Sequence, residues 1–372
     1  MNSKMITQAL REVEESDKAL AAAFERRLDA IKVIAEYRRE HGIPVPAEPD
    51  GGERAQELSA VITDAEKRPY YMSFFQGALS ASEKYHRRIM QGVRVAYTGV
   101  KGAFANIAAS RIFPDGEMVS YPDFAASYTA VERGECDCAV LPIENSYAGE
   151  VGQVIELMFS GTLYIGGVYS LRVKHNLLGL RGATPSGVKK VVSHPQALHQ
   201  CAPYIQAHGY ECIQETNTAV AAQRVAEGGD PTVAAIASAE TAKLYGLEVL
   251  DHDINESGDN TTRFAVFSRT PNIDEDHRDR SRFLLMFILQ NVPGALASAI
   301  NVISSYGFNM KVIRSRPIKE PAWEYYFYVE AEGDEESENG RRMISELRQH
   351  CRVLKVVGHY SDDIRLGASS II

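Results

Sequence analysis

No apolar run in these 372 residues approaches the ~20 that a membrane-spanning helix requires. The opening stretch, MNSKMITQALREVEESDKAL, has no apolar signal core and passes directly into an amphipathic pattern, which argues against secretion and for a cytoplasmic protein. Cysteine is scarce: Cys136, Cys138, Cys201, Cys212 and Cys351 form an odd, scattered set. The nearest pair, ECDC, has C-x-C spacing rather than the C-x-x-C of zinc and redox sites, and it sits in a strand-like run, CDCAVLPI. Reduced cysteines and no metal site are expected. Positive charge is in deficit, with 40 Lys and Arg against 49 Asp and Glu, a formal net charge of −9. That balance argues against nucleic acid and anionic membranes as general partners, and leaves room for local basic pockets around an acidic metabolite. The sequence also lacks a Walker loop (GVKG has no following Lys-Ser/Thr pair), a nucleophile–base–orienter triad, long-range repeats and low-complexity tracts.

What is present divides into three territories, as the length leads one to expect. Residues 1–92 contain no convincing strand. Leu10, Val13, Leu20, Phe24, Ile31 and Ile34 recur at three- and four-residue intervals or their multiples, and Gly42 and Pro44 close the pattern. The pattern predicts a helix from about residue 5 to 40, roughly 50 Å long at ~1.5 Å per residue. A helical domain of this size cannot cover such a helix alone, so a second chain is expected to, as an intertwined dimer. Two more helices are expected near 53–66 and 69–90.

Between residues 93 and 270, short β-rich runs such as VRVAYTG, CAVLPIENS, KKVVSHP, TVAAIAS and TRFAVFS alternate with helical patterns such as SYTAVERGE and NTAVAAQRVAEGG. Strand–helix alternation predicts a mostly parallel, doubly wound α/β sheet. The stretch is long enough for two lobes around a cleft, in the manner of periplasmic binding proteins. Ligands then lie beyond the carboxyl ends of strands. The polar clusters TGVKGAF, PIENSYAGEV, SHPQALHQC, ETNTAVAA and NTTRF all fall at such ends. They supply hydroxyls, amides, a carboxylate and an arginine, which suits holding a small polyanion and polarising one group better than forming a covalent intermediate. A charged, proline-containing linker, TPNIDEDHRDRSR, follows at 270–282, and residues 281–361 then read β-α-β-β-α-β, an α+β ferredoxin-like order.

The clusters, in this order, carry a resemblance. VAYTGVKGAFANIAA, AVLPIENSYAGEV, SHPQALHQC, NTAVAA, LYGLEVL and NTTRF resemble prephenate dehydratase over nearly all of 93–268. NVPGAL and RSRP…WEYYFYV resemble an ACT regulatory domain, and residues 1–92 are similar to the all-helical chorismate mutase class. Together they resemble the bifunctional chorismate mutase/prephenate dehydratases of phenylalanine biosynthesis, feedback-regulated by phenylalanine.

The resemblance implies a cofactor-free lyase. Prephenate loses CO2 and its ring hydroxide to become aromatic, and the family's TRF threonine falls on Thr262, where a hydroxyl in a water-poor cleft assists hydroxide departure. Arg263 is expected to steady the cleft or pair with a substrate carboxylate. Asn145, Ser146, Ser193, His194, Gln196, Thr218 and Asn260 are expected around prephenate. Glu144, whose unpaired charge would repel a dianion, is expected to hold a backbone or lobe contact.

For chorismate, a pericyclic rearrangement needs a cationic cage rather than an acid or base. The family pattern falls on Arg11 (lent by a partner chain), Arg27, Arg38, Asp50, Arg54, Ser82 and His86. Three of these depart from it. Arg11 is one residue short of its spacing, DGGER swaps acidic and basic positions, and His86 replaces a glutamine. For phenylalanine it falls on Asn291, Pro293, Gly294, Ala295, Leu296, Ser315, Arg316 and Pro317, with Arg314 reversing the charge of the usual E-S-R-P. A homodimer or homotetramer is implied. Three alternatives stay open: a monofunctional prephenate dehydratase with a degenerate helical dimerisation domain, an arogenate dehydratase, and a non-catalytic amino-acid sensor.

Overall fold

The computed structural model describes residues 3–41, 56–271, 281–318, 325–361 and 364–367. The chain separates into two compact units, Met1–Val93 and Arg94–Ile372. In the first, α1 (Ser3–Glu40) packs along α2 (Arg68–Gln91). The apolar stripe read from the sequence is largely uncovered within this unit, with Leu10 66%, Val13 59% and Leu20 50% exposed. The expected helix near 53–66 is reduced, among described residues, to one helical turn at 56–59 and a 3-10 turn at Ala65–Lys67. Pro69 sits in the first turn of α2, where its missing N–H costs nothing.

The second unit holds three sheets. Its strands are β1 (Arg94–Thr98), β2 (Glu117–Tyr121), β3 (Cys138–Asn145), β4 (Gly149–Glu150), β5 (Tyr164–Arg172), β6 (Asn176–Gly179), β7 (Lys190–Ser193), β8 (Glu211–Gln214), β9 (Val233–Ala237), β10 (Glu248–Asp251), β11 (Thr261–Ser268), β12 (Ser281–Leu289), β13 (Asn309–Pro317), β14 (Tyr325–Glu332), β15 (Cys351–Ser361) and β16 (Ile364–Leu366). The first lobe is ordered β16-β5-β11-β3-β1-β2, with β4 on β3; the second is β10-β6-β9-β7-β8. Neither is as parallel as the alternation predicts. β1 pairs in parallel with β2 and β3, and β7 with β8 and β9, but β11 runs antiparallel between β3 and β5, and β6 runs antiparallel to β9 and β10. The reason lies in the lobe crossings. The chain leaves the first lobe through 173–175 and returns through 252–260, and such short links carry no crossover helix, so the departing and returning strands enter antiparallel.

The C-terminal sheet, β13-β14-β12-β15, with α10 (Ala295–Ser305) and α11 (Glu338–His350), makes a small α+β domain. Strand β12 reads as a continuous apolar run because both its faces are buried. Phe283, Leu285 and Phe287 join the core with α10 and α11, while Leu284, Met286 and Ile288 join Leu141, Ile155, Ile165 and Phe267 of the first lobe. A shared core explains why this domain belongs to the same compact unit as the lobes. The approach is close at Gly358 (φ 146°), where a Cβ would lie 2.3 Å from the Ile165 carbonyl oxygen.

Candidate active site

A cleft of about 990 Å³ opens where strand ends and helix starts of the two lobes meet. Its first wall begins at the turn after β1, where Gly99 and Gly102 adopt φ of 92° and 88°, conformations that β-carbon-bearing residues rarely tolerate. The turn leads into α3 (Phe104–Ile112), and Phe104 lines the cleft. The second wall comes from α6 (Pro195–Gln200) and α8 (Thr218–Gly228). Asn217 caps α8 by accepting from the Ala219 and Val220 amides at 2.9 Å. Thr218, at the first helical position, and Gln196 face the cavity. His194 lines it as well, with Nδ1 accepting from the Gln196 amide at 3.2 Å, and burial holds its pKa below the ordinary value.

The floor is where β3 ends and β11, antiparallel to it, begins, so NTTRF lies at the amino end of its strand and not at the carboxyl end expected. Thr262 is in register with Asn145 and Arg263 with Glu144, so strand alternation turns the first pair one way and the second the other. Asn145 uses all four of its hydrogen-bonding positions. Its Oδ1 accepts from the Tyr147 and Ala148 amides at 3.0 and 2.9 Å. Its Nδ2 donates to Thr262 Oγ1 at 2.9 Å and to Asn260 Oδ1 at 2.9 Å. Two backbone N–H groups therefore fix the orientation of this amide: the oxygen must face them and the NH2 must face Thr262.

Thr262, Asn145, Asn260, His194, Gln196 and Thr218 thus share one cavity. Ser146 and Ser193 do not line it. Ser146 Oγ donates to the Asp259 carbonyl and accepts from the Thr261 amide, and Ser193 Oγ donates to the Ile236 carbonyl at 2.6 Å.

Arg263 requires a correction. Its guanidinium lies on the opposite face of β11, donating to Glu144 at 3.0 Å and to both carboxylate oxygens of Glu330, on β14, at 3.1 and 3.0 Å. Glu330 is almost fully buried. Burial pushes its pKa up, but the Arg263 bonds and charge, with hydroxyl donors from Tyr328 and Tyr360, outweigh that and hold it below the ordinary value. Glu144 accepts a further bond from Arg314. The charge reversal in RSRP is thereby matched, since Arg314 also reaches Glu150 at 2.6 Å and Arg316 reaches Glu150 at 2.9 and 2.8 Å.

This places Arg316 against the first lobe rather than at an amino-acid pocket. A cavity of about 140 Å³ does form beside NVPGAL, lined by Asn291, Ala295 and Leu296 together with Tyr325, Phe327 and Arg352. Gly294, at φ 84°, caps α10 next to Pro293. Ser315 and Pro317 are in register with Phe327 and Tyr325 on the adjacent strand, yet they do not line the cavity.

In the helical unit, Arg27 Nε donates to Ser82 Oγ at 2.9 Å and its guanidinium carbon stands 5.9 Å from the Phe75 ring centroid. Arg38 meets His86 Nε2 at 3.5 Å. Burial, then the Arg38 charge, lowers the His86 pKa, so the imidazole is neutral at pH 7. Arg11 is exposed on α1, and Asp50 and Arg54 lie outside the described residues.

Two cleft residues escaped sequence reading. His175 lies just before β6, and Gln200 sits at the end of α6 within SHPQALHQC, where Ser193, His194 and Gln196 are the expected residues. Both are buried polar groups hydrogen-bonded to each other, a signal that becomes visible only once burial is known.

Residues 95–272 match the family model for prephenate dehydratase. The chain is 34% identical over 323 residues to the chloroplastic arogenate dehydratase/prephenate dehydratase 2 of Arabidopsis thaliana, covering 84% of this chain and 83% of that one. It is 29% identical to the bifunctional chorismate mutase/prephenate dehydratase of Aquifex aeolicus, covering 94% and 96%. Among solved structures, prephenate dehydratase from Arthrobacter aurescens in complex with L-Phe is similar at TM-score 0.67 and 26% identity, over 72% of this chain and 90% of that one. GqqA, described as a novel type of quorum quenching acylase, is similar at TM-score 0.66 and 31% identity, over 72% of this chain and 97% of that one. With a two-lobed cleft floored by Thr262 and Asn145 and relatives that run the length of the chain, the chain belongs to the prephenate dehydratase family.

Proposed function

We propose that the cleft converts prephenate to phenylpyruvate, with Thr262 assisting departure of the ring hydroxide. The bond to the ring carboxylate breaks, its electron pair enters the ring, and the opposite C–O bond breaks as the ring becomes aromatic. A dianion yields a monoanion, CO2 and hydroxide, so charge balances without a base from the protein. What is needed is a hydrogen-bond donor at the leaving oxygen and few competing waters. One observation carries this reading. Asn145 donates to Thr262 Oγ1, which leaves the threonine's own hydrogen unused in that bond.

The helical unit is proposed to supply prephenate from chorismate. Support comes from Arg27 with Ser82 and Arg38 with His86, pairs that bring two cations to one face of α1. The C-terminal domain is proposed to be an ACT domain that binds phenylalanine and inhibits, supported by the small cavity beside Gly294 and by the phenylalanine complex of the Arthrobacter aurescens enzyme. Uncovered apolar side chains on α1 support a dimer.

Purified full-length protein should be assayed in parallel with chorismate, prephenate and arogenate, alongside T262V. Phenylpyruvate from prephenate, abolished in T262V, supports the dehydratase reading, and product from chorismate adds the mutase. Preference for arogenate changes the substrate but not the mechanism. Cleavage of an N-acyl amide with prephenate and arogenate untouched would instead favour the acylase activity named for GqqA.

A further inference from the structure

Along the cleft wall beside the catalytic floor runs a chain of buried side chains. Asn260, 2% exposed, accepts from Asn145 Nδ2 with its Oδ1 and donates through its Nδ2 to Gln200 Oε1 at 3.0 Å. The same Gln200 oxygen meets His175 Nε2 at 2.9 Å. Each polarity follows from the one before. The Tyr147 and Ala148 amides fix Asn145, whose NH2 makes Asn260 Oδ1 an acceptor. Asn260 Nδ2 must then donate, so Gln200 Oε1 accepts, and His175 can meet that oxygen only with an Nε2–H. His175 is therefore the Nε2–H tautomer, and its Nδ1 is buried with no hydrogen-bond partner among the described residues. The ring is held on its other sides by an edge contact with Phe104 at 5.7 Å and by its backbone N–H donating to Asn255 Oδ1.

Resting on the reading of Thr262 given above, we infer that His175, Gln200 and Asn260 are positioning residues for the dehydration: they clamp the Asn145 amide through its second N–H, so that Thr262 receives a hydrogen bond and turns its own hydrogen toward the leaving oxygen. Without the clamp, Asn260 is free to rotate, and the second N–H of Asn145 exchanges its 2.9 Å bond to Asn260 for the longer 3.3 Å contact with the Thr261 carbonyl. Asn145 then shifts from Thr262, whose hydroxyl no longer has a fixed direction. The effect falls on the transition state rather than on substrate affinity, because His175 Nε2–H is consumed by Gln200. Burial keeps His175 neutral through the physiological range, opposed only in part by the Gln200 bond, so the relay does not titrate there.

The test is steady-state kinetics of full-length protein on whichever of prephenate or arogenate it turns over, comparing wild type, H175L, H175Q and T262V, each with a thermal melt. H175L removes the donor; H175Q offers an amide N–H in its place. The expected result is a loss of about tenfold or more in kcat for H175L, with KM changed by less than about threefold and most of the kcat returned in H175Q. An unchanged kcat in H175L, a loss confined to KM, or a loss that H175Q does not repair overturns the inference. Retained activity in T262V overturns the Thr262 reading, and this one with it. Should H175L not fold, 15N-histidine spectra of the wild type decide: an Nε2–H tautomer for His175 at neutral pH supports the relay, and an Nδ1–H tautomer refutes it.

Discussion

Replacing Arg263 by methionine separates a structural role from the substrate-binding role expected from sequence. The guanidinium is 14% exposed and the Glu330 carboxylate facing it 1%. Methionine would strip that carboxylate of two parallel bonds of 3.1 and 3.0 Å and leave it only the Tyr328 and Tyr360 hydroxyls. Breaking one side of a buried pair costs about 3–5 kcal/mol, because the remaining charge stays desolvated. An exposed pair would cost under ~1 kcal/mol. At about 2–4 °C per kcal/mol for a unit of this size, R263M should melt on the order of 10 °C below wild type at pH 7.

The pH dependence carries a sign. In the wild type the depressed Glu330 pKa means that its contribution is fully present above the ordinary value of 4.5 and is lost as pH falls below that and through the lower folded-state value. In R263M burial acts without the guanidinium, so the carboxyl protonates more readily and the deficit narrows toward acid pH. The double variant R263M/E330Q strands no charge and should recover most of the loss. Thermal melts between pH 5 and 8 measure all three. A melting temperature within about 2 °C of wild type, or a double variant no better than the single one, would refute the buried-pair argument. Weakened substrate binding at unchanged stability would return Arg263 to the cleft.

Three further outcomes are expected. Gly358→Ala puts a Cβ against the Ile165 carbonyl oxygen at a φ that alanine disfavours; a loss of about 2–4 kcal/mol should appear in urea melts. Arg314→Gln removes charged bonds to Glu144 and Glu150 from a site about one-third exposed. It should cost about 1–2 kcal/mol and increase proteolytic cutting between the first lobe and the C-terminal domain. The lowered pKa of His175 means that the unfolded chain takes up a proton near pH 6.5 while the native site resists it. Stability should fall as pH falls from 6.5, and H175Q should flatten that slope in melts from pH 7 to 5.

Much of the cleft was legible in the sequence because its parts are local. A strand followed by small and polar residues and then by a helical period marks a strand end, and four such clusters in order, with NTTRF opening the last strand, mark out the two-lobed region and its residues Thr262, Asn145, His194 and Thr218. Helix α1 was equally legible, since a 3.6-residue period needs no partner to be recognised. Periodicity also yielded the β-α-β-β-α-β order of the last domain.

Tertiary structure decided the rest, for reasons of side and distance. TRF is a run of three letters, and only the pairing of β11 with β3 and β5 determines that Thr262 meets the cleft while Arg263 turns its back on it. The Arg314 that looked like a misplaced charge finds its carboxylates 170 and 164 positions away. The relay from Asn145 to His175 is built from segments up to 115 residues apart, each polar residue unremarkable where it stands in the chain. A sequence states which groups are available. Their partners, and hence their direction, tautomer and charge, come from the burial that folding imposes, because a desolvated polar group has to take the partner that packing puts beside it.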